Sequence, residues 1–269
     1  MELQSNPFQK MRYLLVFDLD GCLYKYSALP NSGFYALCDE ANALAAQEVF
    51  PELSYEKARE LSTLSFEKHH DCYGAFVDYA KEVGHDPVRA RDIIFKRYHA
   101  ILFDFLEERH PDFFEHTAST VEALARLSMG PFALAVLSHS CMQGWGKPVL
   151  KKMGALQYFE PHLLLGMDDY GYERKFENAE GMKRLIEISG YTPDRIIFVE
   201  DSWRNTHPAF RILGVKAALV HYDALAPDPY PEGVHWLGRT PSDLAEVLER
   251  EYGARQEGNP TCEALVLKA

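Results

Sequence analysis

Two aspartates one residue apart, Asp18 and Asp20, close the apolar run Leu14-Leu15-Val16-Phe17 and are followed by Gly21. Farther along, Ser138 and His139 follow the run Phe132 to Leu137, Lys175 comes soon after Asp168-Asp169, and Glu200-Asp201-Ser202 follow Ile196-Ile197-Phe198-Val199. A carboxylate, a second acid, a hydroxyl, a lysine and an acidic pair suit one chemistry: transfer of a phosphoryl group from a monoester to a carboxylate and then to water. The uncatalysed hydrolysis of such esters is so slow that the required fall in the barrier can exceed ~20 kcal/mol. A carboxylate nucleophile, here Asp18, divides that step in two. Asp20 is placed to protonate the departing oxygen and then to deprotonate water. Glu200 and Asp201, with Asp18, offer hard oxygen ligands for Mg²⁺, Lys175 offers a compact positive charge, and Ser138 can donate to a phosphoryl oxygen.

Singly these signals are weak, since Asp-x-Asp is more often a solvated turn and a serine after a strand more often a helix cap. They gain force from the elements that must carry them. The runs are continuously apolar, as strands buried on both faces of a parallel sheet are. His162-Leu163-Leu164-Leu165 and Lys216 to Val220 read the same way. Helical patterns lie between them: Thr117 to Leu127, then Trp145, Val149, Leu150 and Met153 closed by Gly154, then Met182, Leu185 and Ile186 closed by Gly190. Thr240-Pro241-Ser242-Asp243 is a helix start. Strand and helix alternate from residue 117 onward, which predicts a doubly wound α/β sheet whose ligands bind at the carboxyl ends of the strands. Between Tyr26 and Glu115 no strand is evident. Phe34, Leu37, Cys38, Ala41, Leu44 and Ala45, and later Ile94, Arg97, Tyr98, Ile101 and Leu102, recur at helical spacing. The expected organisation is therefore an α/β core of residues 1–25 and 116–252, a helical insert of residues 26–115, and a tail of residues 253–269 rich enough in Gly, Asn and Pro to be partly disordered.

The composition narrows the partners. With 269 residues, 28 Lys and Arg against 40 Asp and Glu, and a net charge of −12, the chain is a poor partner for nucleic acid polymers or anionic membranes. It can still bind a small phosphorylated molecule through a few local cations. The five cysteines have no metal-ligand spacing, which argues against zinc and for free thiols in a reducing cytoplasm. The first apolar run is too short for a signal peptide, and no segment approaches the roughly 20 apolar residues that span a bilayer.

The segment Phe17-Asp18-Leu19-Asp20-Gly21-Cys22-Leu23 resembles the first motif of the haloacid dehalogenase superfamily, with Ser138, Lys175 and Glu200-Asp201-Ser202 similar to its second, third and fourth, and Asn205 a supporting polar residue. The resemblance implies Mg²⁺ bound by Asp18, by the main-chain carbonyl of Asp20 and by Asp201, with Glu200 a direct or water-mediated ligand. The interval from Asp18 to Ser138 is several times that from Ser138 to Lys175, so the insert is the helical cap that follows the first motif. Asp18 to Tyr24, and His70-Asp71-Cys72-Tyr73-Gly74 in the cap, resemble the pyrimidine 5′-nucleotidase branch, which implies a pyrimidine nucleoside monophosphate as substrate. Tyr24, Phe34, Tyr35, Phe66 and Tyr73 are the rings available to stack on a base. The chain departs from the usual motifs at Ser138-His139, where Asn is common after the hydroxyl residue, and at Lys175-Phe176, where Pro is common after the lysine. His139 is either a substrate-binding group or a loop residue acting through its amide. His69, His70 and Tyr73 either face the substrate or lie on a helix surface, and Lys147, Lys151 and Lys152 read as a solvated helix face. A haloacid dehalogenase would also use Asp18, but halide leaves without a proton, so Asp20 and the acidic pair count against it. A sugar-phosphate phosphatase, a phosphomutase and a catalytically silent binding module complete the alternatives.

Overall fold

A computed structural model of the chain describes residues 13–26, 29, 31–115, 118–222 and 231–253. The tail expected to be disordered lies outside them from residue 254 onward, while Gly253 belongs to the last helix.

The first strand, β1 (Tyr13–Phe17), is followed by the two-residue β2 (Lys25–Tyr26), then by α1 (Asn31–Val49), α2 (Tyr55–Leu64), α3 (Gly74–Val83) and α4 (Pro87–Arg109), and by β3 (Phe114–Glu115). The core then continues as α5 (Ala118–Met129), β4 (Phe132–Leu137), α6 (Lys147–Lys152), β5 (Leu164–Leu165), α7 (Glu180–Ser189), β6 (Ile196–Glu200), α8 (Trp203–Leu213), β7 (Lys216–Val220), β8 (Val234–Gly238) and α9 (Pro241–Gly253). Six parallel strands form one sheet in the order β5-β4-β1-β6-β7-β8. This is the α/β core with an inserted helical cap that the alternation of runs predicts.

Leu14, Leu15, Val16 and Phe17 are all buried, as are all six residues of β4 and all five of β6. Burying each large aliphatic or aromatic side chain is worth ~1.5–3 kcal/mol, so the runs have no polar face to show. The edge strand β8 alternates instead, with Trp236 and Gly238 buried and His235 exposed. That broken pattern hides it among the apolar runs of the sequence. The run His162 to Leu165 is a strand only over its last two residues, because Pro161 opens a helical turn through Leu163.

The insert holds more than helices. Lys25 pairs with Glu115 and Tyr26 with Phe114 in an antiparallel ladder, which ties the two ends of the insert together and corrects the expectation of no strand there. Two residues on each side are too few to leave a periodic signal. Inside the cap, Asp86 and Ser54 accept main-chain N–H groups at the starts of α4 and α2. Phe50, Leu53, Phe76 and Ile94 form a small core of the cap's own, while Phe95, Tyr98, Leu102 and Leu106 of α4 join the main core. In the core, Thr240 and Asp243 bond each other's main-chain amides, the cap foreseen for α9.

Candidate active site

The register brings the polar residues together. Phe17 is level with Val136 on one side and with Val199 on the other. Asp18 thus emerges between the ends of β4 and β6, where the sheet order reverses direction and open α/β sheets place their ligands. Its amide bonds the carbonyl of Val199 at 2.8 Å. Lys175 arrives from the loop after β5 and is buried. Its Nζ donates to Asp18 Oδ1 and to Glu200 Oε1, each at 2.6 Å, and to the carbonyl of Leu137 at 3.2 Å. Asp18, Glu200 and Asp201 each present a carboxylate oxygen within 4.8 Å of the others. Of the three, Asp201 alone is exposed.

Three carboxylates share one ammonium here. Burial, then Glu200, push Asp18 up to about 8 against the opposing pull of Lys175. Burial also raises Glu200 and Asp201. For Lys175, burial opposes the charge, but Asp18 and Glu200 outweigh it and hold the ammonium above its ordinary value. A cluster short of positive charge and built of hard oxygens fits a divalent cation such as Mg²⁺.

Gly21 is fitted to this cluster twice over. Its φ of +81° suits glycine, and a Cβ there would lie 2.7 Å from Asp201 Oδ2. The Gly of the first motif is thus what lets the fourth motif approach the first.

Asp20 sits beside the cluster with every acceptor position used. Its Oδ1 accepts from Trp145 Nε1 at 2.7 Å and from the Tyr24 hydroxyl, and its Oδ2 accepts from Ser140 Oγ at 2.8 Å and from Ser138 Oγ at 3.2 Å. Ser138 is fully buried, and the hydroxyl of Tyr170 donates to its carbonyl at 2.9 Å. Ser140, Trp145 and Tyr170 are parts of this site that the sequence does not reveal, and Tyr24 serves it as a hydrogen-bond donor instead of a ring that stacks on a base. They converge from separate turns and helices, so no spacing announces them.

His139 takes neither of the two expected roles in so simple a form. Its Nε2 accepts the main-chain N–H of Lys175 at 2.8 Å, which requires a neutral ring, and burial pushes it down to about 2, with Lys175 and Arg174 adding to the effect. Its ring also stands edge-on to Phe176, centroids 6.0 Å apart. The two departures from the usual motifs are therefore one contact, in which the residue after Ser138 holds the loop of Lys175. Beside it, Arg174 donates to the carbonyl of His69 and pairs with Asp71 at 3.3 Å, joining this loop to the cap. Asn205 lies against Glu200 and helps keep it charged. Of the rings available for stacking, Tyr24 is fully buried, Phe66 and Tyr73 pack against Tyr98 and Phe95, Phe34 packs on Phe113, and Tyr35 is 60% exposed.

A family model described as haloacid dehalogenase-like hydrolase matches residues 14–213, from the first strand through α8. The chain belongs to this family. It is an enzyme, a hydrolase. No curated protein matches the chain significantly. Among solved structures, it is similar to a HAD phosphatase from Thermococcus onnurineus, with 20% identity, a TM-score of 0.56, and 88% of this chain and 98% of that one covered. It is also similar to a 2-haloacid dehalogenase from Pseudomonas syringae pv. Tomato DC3000, with 18% identity, a TM-score of 0.55, and 90% and 100% covered. Likenesses at that identity speak for the hydrolase fold alone, and the two neighbours carry different activities. The choice between activities rests on the side chains.

Proposed function

We propose that this hydrolase cleaves small phosphomonoesters through a phosphoryl–Asp18 intermediate, and the observation that carries the reading is the cluster of Asp18, Glu200 and Asp201, the first two buried against the Lys175 ammonium, with Asp20 beside it. Asp18, Glu200, Asp201 and the main-chain carbonyl of Asp20 would hold Mg²⁺. Bound there, the ion would screen the repulsion between carboxylate and phosphate and polarise the phosphoryl oxygens. Asp18 attacks phosphorus. Lys175 orients Asp18 and adds positive charge, and the Ser138 hydroxyl turns to a phosphoryl oxygen. Asp20 gives its proton to the leaving oxygen and takes one back from the water that releases phosphate. His139 keeps Lys175 in register through its main-chain amide, a positioning role in place of a direct substrate contact.

Dehalogenation is the rival within the family. A halide leaves without a proton and needs neither the second acid nor a dication, so the engaged Asp20 and the cation-seeking cluster support the phosphoryl reading. We take residues 26–115 as the cap that closes over the strand ends and limits the substrate to a small molecule. Within that class, a pyrimidine nucleoside 5′-monophosphate is the substrate to test first, on the resemblance of the first motif and of His70 to Gly74, with Tyr35 and Tyr26 exposed rings within residues 26–115. The four cysteines among the described residues are free thiols, in keeping with a reducing compartment such as the cytoplasm. Among the described residues no helix is long and apolar enough to cross a membrane.

The test compares kcat/KM with Mg²⁺ for UMP and CMP, AMP, sugar phosphates and 2-chloropropionate. A pyrimidine nucleotide is expected to lead. A sugar phosphate ahead by tenfold, about 1.4 kcal/mol of transition-state preference, would remove the nucleotidase reading and leave the phosphatase one. Release of halide without release of phosphate from any ester would remove both.

A further inference from the structure

We infer that Trp145 is a positioning residue for the proton transfers at Asp20, and that through it the seating of the cap is felt at that carboxylate. The inference rests on the proposed role of Asp20 as proton donor. A carboxylate offers about four acceptor positions, and here Tyr24, Trp145, Ser138 and Ser140 fill them. Three of the donors are hydroxyls, which can turn and either give or receive a hydrogen bond. The indole N–H can only give. Its 2.7 Å bond therefore marks Oδ1 as the oxygen that stays an acceptor and leaves Oδ2 to carry the proton. Oδ2 is also the oxygen on the side of Ser138, whose contact is the longest of the three measured and whose hydroxyl is the one a phosphoryl group would draw away. As Asp18 bonds to phosphorus, the P–O ester bond breaks, its electron pair stays on the leaving oxygen, and that oxygen takes the proton from Oδ2. In the second half, the water oxygen bonds to phosphorus, the bond from phosphorus to Asp18 breaks with its electron pair returning to the Asp18 carboxylate, and the proton of the water goes back to Oδ2.

The indole is set by the cap. Trp145 is 3% exposed. Its ring lies 6.2 Å from His99 and 6.4 Å from Phe103, both on α4, and 5.5 Å from Phe114 on β3. The residue before it, Gly144, runs so close to α4 that a Cβ would come within 2.9 Å of the Lys96 carbonyl. A displacement of α4 thus moves the indole, and with it the donor that orients Asp20.

The experiment measures kcat/KM for phenyl phosphate and for 4-nitrophenyl phosphate, two substrates of similar shape whose leaving groups differ in their need for a proton. Phenol is as weak an acid as tyrosine, with a pKa of about 10, whereas 4-nitrophenol is much stronger. Asp20→Asn and Trp145→Phe, which keeps a ring and removes the N–H, are both expected to lose at least tenfold more on phenyl phosphate than on 4-nitrophenyl phosphate. General damage to the fold would lower both rates alike. If Asp20→Asn shows the bias and Trp145→Phe does not, the inference about Trp145 is overturned while the proposed function stands. If Asp20→Asn shows no bias, the acid role of Asp20 fails and the inference falls with it. Should Trp145→Phe not fold, Phe103→Leu, which loosens the cap side of the indole's seat, carries the test. It should show the same selective loss, and equal losses on the two substrates would refute the coupling.

Discussion

Asp18 and Glu200 meet the same ammonium from neighbouring strands, and neither could stay charged in that setting alone. Removing one partner of a buried pair costs about 3–5 kcal/mol, because the charge left behind has no water to hold it. Lys175→Met is therefore expected to destabilise the protein by that amount in urea unfolding at neutral pH, and to recover part of it when Mg²⁺ is added. The same cluster sets a pH dependence. The folded value of about 8 for Asp18 lies above its ordinary 3.8, so its contribution to stability without metal is full in acid and is lost as pH rises through about 8. Mg²⁺ binds the ionised form, so the gain in Tm on adding Mg²⁺ should be larger above about pH 8 than near pH 6. A gain that shrinks as pH rises would contradict this. Asp18, Asp20, Ser138, Lys175, Glu200 and Asp201 are legible in the sequence as candidates because each belongs to a motif of recognisable type, most of them directly after a buried strand. The donors around Asp20 are not, since Trp145 reads in sequence as an ordinary apolar residue and its polar atom acts through space.

Between residues and fold stand the turns. Gly21→Ala combines a left-handed conformation, which costs roughly 1–2 kcal/mol for a residue with a Cβ, with an overlap against Asp201. The expected result is a modest fall in Tm and a rise of tenfold or more in the Mg²⁺ concentration giving half-maximal activity. Loss of stability with unchanged Mg²⁺ dependence would show that Gly21 serves the turn and not the cluster. Strands are legible in the sequence where both faces are covered, as in β1, β4, β6 and β7, because burial on both sides leaves a run with no polar interruption. They are illegible where one face is open, as in β8, or where two residues suffice, as in β2 and β3. Helix ends are readable from Gly190 and Thr240, whose conformation and side chain do the capping.

At the scale of the whole molecule, the cap and the core meet through α4 on Trp145 and through Arg174 on the loop from His69 to Asp71. That second contact is outside the reach of sequence, because an arginine next to Lys175 reads as a surface charge until its partner is known. Arg174→Met should raise amide exchange in residues 65–74 and leave that of β1, β4 and β6 unchanged; exchange raised throughout would mean that the arginine supports the core instead. In the function proposed above, the joined halves serve one event, the attack of Asp18 on phosphorus, and it can be caught directly. Mixing the enzyme with Mg²⁺ and a saturating phosphomonoester, quenching in acid within one turnover and mapping the peptides by mass spectrometry should find one phosphoryl group on Asp18. The label should vanish on longer incubation and be absent from Asp18→Asn, which should also fail to release phosphate. A protein that releases phosphate while Asp18 is never phosphorylated, or whose Asp18→Asn form still turns over, would contradict the account.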